Sequence, residues 1–566
     1  MNEQLGTRQE MDAVSLSVLR GRLEEVADEM DAALFRGAFN PVIAEAHDAG
    51  HGLFDAETGD TVIQGRKGMA IFVGVMSFAV KAVIARVAED GGPQDGDVWI
   101  LNDPYLSGTH LNDFKLVRPV FSKGQLVCYV ASAGHWTDVG GNIAGNFNSA
   151  ARETFQEGVL VPAVRVVRGG ELQRDIVSML TAISRAPRNC RGDLQAQLNA
   201  VALGTERLEA MVNELGRDVL MAAFKELHRR AAQLTRAAIS QLPDGVYSFD
   251  DEMDNDGSDN RPVKVAVDVT VKGEELILDF SRTAQAVSGP LNVSYPTTVA
   301  SCYVAIKHLF PDIFANGGCL DPIRIVVPPG SLLDAQRPRP VSGYVETSGR
   351  IVDVIFGAIA QAAPQISNGI PHGTINALSL AGKRRANEDW VLFMFFGGGM
   401  GGNPEGDGLN NGGSPIGSAL IAPAEIIEAR YPVLFRKWAL RPDSGGAGRH
   451  RGGLGAYYEI ELLAEGATYS HFGERANSKP GGVAGGGPAL GNRVSVHRDG
   501  EWKLLDNGSK VAGMPLAKGD RIRIETPGGG GFGNAGERSS DAIQRDLSLG
   551  YVSAAAVAQD YPGSRK

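Results

Sequence analysis

The chain has 566 residues, more than one hydrophobic core usually serves, so two to four lobes are expected. A formal net charge of -11, with no basic patch or stripe, excludes a nucleic-acid footprint. The polar, mixed-charge start "MNEQLGTRQEMD" shows no secretory signal, and the most apolar window, Ala70 to Val80, is too short to span a bilayer.

In chain order, apolar residues from Val14 to Met30 recur at helical spacing and predict a helix over 12–39. "HGLFDAETGDTVIQG" (His51 to Gly65) reads as a hairpin, and 71–88 as a helix. "DVWILNDP" and "GQLVCYVASAGH" read as two strands with "NDPYLSGTHLNDF" between them. Residues 193–240 form a long helical stretch. "VKVAVDVTVKGEELILDF" alternates like a hairpin, "LNVSYPTTVASCYVAIKHLF" and "IVDVIFGAIAQAAP" return to helix, and strands with glycine loops dominate from about Asp389. The fold class is therefore mixed α and β (α+β) and multi-lobed. The expected divisions are 1–190, an N-terminal α/β region; 191–245, helical; 246–388, mixed; 389–540, β-rich with glycine loops; and a tail over 541–566.

The 73 glycines are roughly twice average usage and cluster in runs such as "GGGMGGNPEGDGLNNGG" and "TPGGGGFG" without a collagen period. They predict tight loops where backbone passes close to a neighbour. Arg441, Arg449 and Arg451, around "DSGGAGRHRGGLG", could meet an anion or belong to a turn that packs lobes together. Four widely spaced cysteines with no CxxC suggest a reducing compartment, hence the cytoplasm, and no zinc ribbon. There is no Walker A sequence and no G-x-S-x-G elbow, and "FGGGMGG" matches a dinucleotide fingerprint poorly.

Among ten histidines, His110 and His135 stand out. His110 and Asp113 are three residues apart, and His135 closes a β-rich run, with Asp138 three residues beyond it. Imidazole and carboxylate suit zinc, manganese or iron(II). Asp48 in "EAHDAGHGLFD", with His47 and His51 beside it, is the nearest upstream carboxylate. Spacing alone leaves both a metal half-site and a structural loop open.

Six stretches, in order, carry a wider resemblance: "NDPYLSGTHLNDFKLVRPVF", "GHWTDVGG", "TFQEGVLVPAVRV", "RAPRNCRGDLQAQLNA", "ARYPVLFRKWALRPDSGGAGRHRGGLG" and "ETPGGGGFG". Together they resemble the B subunit of the hydantoinase B/oxoprolinase family, which includes subunits of N-methylhydantoinase, caprolactamase and ketone carboxylases, and part of 5-oxoprolinase. The resemblance implies a metal-bearing subunit that works with an ATP-using hydantoinase A/oxoprolinase-type partner, in a heterotetramer or larger assembly. The partner phosphorylates a hydantoin, lactam or ketone, and this subunit handles the activated substrate. Carried over by position, the metal ligands are Asp48, His110, Asp113 and His135, and an unliganded carboxylate, Asp138 or Glu45, is the expected general base. Two segments depart from the pattern: "GMAIFVG" (Gly68 to Gly74) has no histidine, and Gly134 precedes His135 where a second histidine is often found. The implied activity is ATP-dependent hydrolysis of a cyclic amide, with ketone carboxylation as the alternative.

Overall fold

The computed structural model describes residues 12–383, 388–417 and 419–562. Helix α1 (Ala13–Gly37) starts where Asp12 accepts from the Val14 and Ser15 N–H groups, and it buries Leu16, Leu19, Leu23, Val26, Met30 and Leu34 along one face. A short α2 (Pro41–Ala44), capped by Asn40, leads into the expected hairpin of β1 (Ala49–Asp55) and β2 (Thr61–Gln64). Then come α3 (Ala70–Glu89), β3 (Val98–Leu101), α4 (Pro104–Ser107), β4 (Asp113–Ser122), β5 (Gln125–His135), β6 (Val164–Arg168) and β7 (Glu171–Leu172). The strands form an antiparallel sheet in the order β2-β1-β5-β4-β3-β6-β7.

Strand β4 is the element the sequence conceals. Lys115, Arg118 and Pro119 interrupt its apolar pattern, yet it pairs with β5 from Asp113↔His135 to Ser122↔Gln125. The thirteen-residue motif therefore does not simply join two strands. It holds a one-turn helix and ends on the first two residues of a third strand.

Two more helices follow α5 (Arg174–Ile183): α6 (Pro187–Leu215) and α7 (Arg217–Ile239). The stretch expected as one helical block breaks at Gly216, whose φ of 87° ends α6. One face of the sheet packs on α1 and α6 through Leu23, Met30, Leu116, Val130, Leu194 and Val201. The other packs on α3, which is in turn covered by a later helix. Helix α3 is longer than the apolar window suggested, and it is long and apolar enough to cross a membrane. Here Ile71, Phe72, Val75, Met76, Ala79 and Val80 are buried in the protein core.

The central region contains β8 (Gly245–Met253), β9 (Val263–Lys272), β10 (Glu275–Asp279), α8 (Tyr295–Leu309), β11 (Ile323–Val326) and α9 (Tyr344–Ala362). Its sheet runs β11-β10-β9-β8, with β10 and β11 parallel. Helix α9 packs on β8 and β9, and α8 lies between α9 and α3, so this region shares a core with the first sheet.

The remaining chain forms β12 (Ala377–Lys383), β13 (Asp389–Met394), α10 (Ala424–Arg430), β14 (Val433–Leu440), β15 (Ala456–Leu462), β16 (Gly466–Phe472), β17 (Arg493–Arg498), β18 (Glu501–Leu504), β19 (Lys510–Ala517), β20 (Arg521–Glu525), α11 (Ser540–Ser548) and α12 (Ala554–Asp560). Two antiparallel sheets result, β13-β12-β16-β19 and β14-β15-β20-β17-β18.

Beside them the glycine runs lie against one another as extended segments. Gly369 N–H donates to Gly402 O at 2.8 Å, Gly402 to Gly530 O at 2.9 Å, Gly529 to Gly453 O at 3.0 Å and Gly453 to Met400 O at 2.7 Å. A Cβ on Gly401 would lie 1.7 Å from Gly369 O, on Gly452 1.8 Å from Gly529 O, and on Gly530 1.8 Å from Gly481 O. These glycines are needed for space and not for a left-handed φ. Arg441 and Arg451 serve the same packing. Arg441 donates to the Gly491, Glu525 and Thr526 carbonyls, and Arg451 pairs with Asp546 of α11.

Candidate metal centre and aromatic cavity

Strands β1, β5 and β4 are consecutive in the first sheet, and their aligned ends bring three separate stretches together. Asp113 and His135 are direct cross-strand partners, so both side chains emerge on one face. Asp48 immediately precedes β1, and its carbonyl accepts from the His135 N–H at 3.1 Å. Asp48, His135 and Asp113 therefore form a row across the end of the sheet.

His110 completes the cluster from the loop between α4 and β4. Gly108 (φ 71°) and Thr109 (φ 64°) turn that loop back, and a Cβ on Gly108 would lie 2.5 Å from Val75 Cγ1. Lys115 pins the turn, because its buried Nζ donates to Gly108 O at 2.9 Å and Thr109 Oγ1 at 2.7 Å. Upstream, Asp103 caps α4 through Tyr105 N–H and pairs with Arg337. Asn102 ties Leu111 O, Val159 O and Val161 N–H together. The motif's first three residues thus aim the loop, and its histidine and last aspartate face the site.

Ligand atoms of His110, Asp113 and His135 lie within 4.8 Å of one another. His110 Nε2 is 3.4 Å from Asp113 Oδ2, and Tyr344 donates its hydroxyl to the same oxygen at 3.3 Å. Among the described residues, His110 Nδ1, Asp113 Oδ1 and both His135 ring nitrogens have no hydrogen-bond partner despite burial. Leaving several polar atoms unpaired in one place is costly and calls for a missing partner.

Electrostatics gives the same reading. Burial, reinforced by the negative charge of Asp113, pushes the Asp48 carboxyl well above the usual carboxylate range. Burial also acts on Asp113, but the charges of His110, His135 and Lys115 outweigh it and hold that carboxyl below its ordinary range. Burial and the nearby His110 pull the His135 imidazole down to about 3, leaving it neutral and able to ligate. Two imidazoles and two close carboxylates form an N/O donor set that a divalent cation would satisfy.

A cavity of about 280 Å³ opens on Asp48, His110 and His135. Its walls come from distant segments: Met69, Phe147, Tyr344, Val345, Ile375, Phe393, and, among others, Leu409, Asn411, Ser414, Ile416 and Leu420. Phe393 stacks on His135 at 4.9 Å between ring centroids and on Phe147 at 4.9 Å, and Tyr344 sits 5.0 Å from the His110 ring. No local pattern links residues 344 or 393 to residue 110, so these walls are not legible in the sequence.

The two proposed general bases are not brought to the cavity. Asp138 accepts from Gly140, Gly145 and Arg185 backbone N–H groups and pairs with the Arg185 guanidinium at 3.0 Å. Its carboxylate closes a loop, which corrects the expectation that it would be free for proton transfer. Glu45 sits at the C-terminal cap of α2, outside the cavity lining. His47 stacks on Phe35 at 4.0 Å, and His51 pairs with Asp31 at 2.6 Å, so neither neighbour of Asp48 joins the cluster.

The sequence model of the hydantoinase B/oxoprolinase family matches residues 12–535. The chain is 30% identical over 559 residues to the caprolactamase subunit beta of Pseudomonas jessenii, covering 96% of this chain and 94% of that one. The crystal structure of the ATP-dependent caprolactamase from Pseudomonas jessenii superimposes with a TM-score of 0.90 at 28% identity, covering 98% of this chain and 96% of that one. A nucleotide-free acetone carboxylase structure superimposes with a TM-score of 0.91, covering 98% of this chain and 80% of that one; at 19% identity it shows a shared fold.

Proposed function

Because this chain belongs to the hydantoinase B/oxoprolinase family, we propose that it is the metal-bearing B-type subunit of an ATP-dependent cyclic amide or imide hydrolase. It would act in the cytoplasm, in a heterotetramer or larger, on substrate that an A-type partner has activated by phosphorylation. The observation that carries this reading is the convergence of His110, Asp113, His135 and Asp48 at one end of an aromatic cavity.

These four residues would hold the ion. When bound, a divalent transition metal lowers the pKa of a ligated water and polarises a carbon–oxygen bond. The protein's own contribution starts with charge. Asp113 supplies negative charge where a cation must sit, Asp48 adds a second carboxyl that would lose its proton when a cation binds, and the neutral His135 adds a nitrogen donor without an extra proton. Phe147 and Phe393 exclude water from the cavity side of the imidazoles, which strengthens every charge interaction there. Tyr344 keeps its proton well above the usual phenol range, through burial and the adjacent Asp113, and donates it to Asp113 Oδ2. That hydrogen bond orients the carboxylate. Asp48 is the one aspartate or glutamate in the cavity lining among the described residues, so it replaces Asp138 and Glu45 as the candidate proton acceptor when it is not ligated.

The full-length similarity to a caprolactamase subunit favours hydrolysis over ketone carboxylation. The test is coexpression with the A-type partner and ATP, using hydantoins, lactams and ketones with and without bicarbonate. Lactam or hydantoin turnover without bicarbonate is expected, with His110→Ala losing both metal and turnover. Bicarbonate-dependent ketone turnover alone would replace the reading with carboxylation. Less than one tenth of a metal ion per chain, with an active His110→Ala complex, would refute the metal centre.

A further inference from the structure

A second cavity, of about 220 Å³, lies between α3, α7, α8 and the turn over 316–321. It shares no lining residue with the cavity at the metal centre. Two polar groups of its lining residues, the Tyr303 hydroxyl and Asn316 Nδ2, are buried without a hydrogen-bond partner among the described residues. The Asn316 amide is fixed, because its Oδ1 accepts from the Gly318 N–H at 2.9 Å, and this leaves Nδ2 as a spare donor. Each such group costs stability until something accepts its proton. Four ionisable side chains line the cavity in two partly exposed pairs. Lys81 Nζ lies 2.7 Å from Asp60 Oδ1, and His228 Nε2 lies 3.1 Å from both Asp321 carboxylate oxygens. Phe78, Val299 and Leu320 supply hydrocarbon to the same wall. A ligand that satisfies this wall needs an oxygen acceptor for Tyr303, Asn316 and Lys81, and a cation for Asp60 and Asp321. A lone anion would meet two carboxylates, and a lone cation would leave both buried donors unpaired.

We infer that this cavity binds a small amino-acid zwitterion, its carboxylate on Tyr303, Asn316 and Lys81 and its ammonium beside Asp60 and Asp321. The source of that ligand rests on the cyclic-amide reading above: water opening a lactam breaks the ring C–N bond and leaves a carboxylate and an ammonium on one chain. The cavity also shares two helices with the metal centre. Met69, the N-terminal cap of α3, lines the metal cavity, and Thr297 of α8 accepts from the Thr109 N–H at 2.8 Å, next to His110. Where the helices cross, a Cβ on Gly74 would lie 2.6 Å from Ala300 Cβ, so there is no slack between them. Occupancy of the second cavity therefore bears on the His110 loop.

Calorimetry on the metal-loaded full chain tests this with 6-aminohexanoate and L-alanine, and with hexanoate and hexylamine as single-charge controls. Full-chain His110→Ala should bind the zwitterions as the wild type does, which separates this site from the metal cavity. Tyr303→Phe removes an unpaired hydroxyl and keeps the ring in its apolar cluster, so the fold should survive. That variant and Lys81→Met should each weaken binding roughly tenfold, the loss of one hydrogen bond to a carboxylate. Hexanoate and hexylamine should be weaker by a similar factor. Tighter binding of 6-aminohexanoate supports the ring-opened product as the ligand, and tighter binding of L-alanine supports a free α-amino acid. In the complex with the A-type partner and ATP, a saturating zwitterion should change kcat by roughly twofold or more, a response that Tyr303→Phe abolishes. An unchanged kcat overturns the link to the metal centre. Absence of zwitterion binding, its loss in His110→Ala, or equal binding of hexanoate overturns the site itself. The binding measurement needs neither partner nor ATP. Zwitterion binding without any cyclic-amide turnover would therefore sink the hydrolase reading and leave the site standing.

Discussion

A single methyl group at Gly530 should unseat the packed glycine segments. Its Cβ would lie 1.8 Å from the Gly481 carbonyl oxygen, far inside the 3.0 Å below which real Cβ contacts essentially do not occur. Relief requires the segments to part by roughly 1 Å, because both opposing groups are backbone and neither can swing away. Three hydrogen bonds would be stretched: Gly530 N–H to Ile370 O, Gly402 N–H to Gly530 O and Ile370 N–H to Gly481 O, each 2.9 Å. At roughly 1 kcal/mol net per bond and about 1–3 kcal/mol of overpacking strain, the loss is about 4–6 kcal/mol. For a cooperative unit of 150–250 residues that lowers the melting midpoint by about 10 °C or more. The control is Gly481→Ala on the facing segment, where the nearest atom to a new Cβ is Ile370 Cγ1 at 3.9 Å. It should be neutral or stabilising by up to about 1 kcal/mol, since alanine restricts the unfolded chain. Thermal unfolding of both purified variants checks this. Midpoints that agree within 2–3 °C (roughly 1 kcal/mol) would refute the claim that steric space selects these glycines.

Replacing Lys115 by Met should leave the His110 loop unpinned and weaken metal retention by about 10- to 100-fold, measured by metal content after dialysis against a graded chelator series. Asp138→Asn should do the opposite: it should lower the unfolding midpoint by loosening the Arg185 contact while metal content stays unchanged. Glu346 gives a pH signature. Burial, with Glu474 nearby, raises its carboxyl to about 8 from 4.5, so the folded chain holds the proton more tightly. Wild-type stability should therefore fall as pH climbs from about 4.5 to about 8, by up to about 1.4 kcal/mol per pH unit. Glu346→Gln removes this dependence, so the two proteins should unfold alike near pH 4.5 and diverge, variant more stable, toward pH 8. Parallel curves would rule out the assignment.

The sequence by itself determined several of the elements whose side chains follow a period. Helix α1, the β1–β2 hairpin, α3, α8, α9 and the β9–β10 hairpin are all legible, because each buries one regular face. Spacing singled out His110, Asp113 and His135, with Asp48 upstream, as candidate ligands but left a structural loop open, and the ordered family motifs favoured the metal reading. The glycine runs are legible as tight loops passing close to a neighbour, and the structure shows that the neighbour is other backbone. Tertiary structure decided what no period encodes. Strand β4 forms despite Lys115 and Pro119, because β3 and β5 supply its hydrogen bonds and the Gly108–Thr109 turn receives the ammonium. Asp138, three residues beyond His135, is drawn away by Arg185, while Tyr344 and Phe393, more than 200 residues downstream of His135, close the cavity. Candidate ligands are legible from residue type and motif. The environment of those candidates belongs to the packing of one sheet against segments that the chain reaches much later.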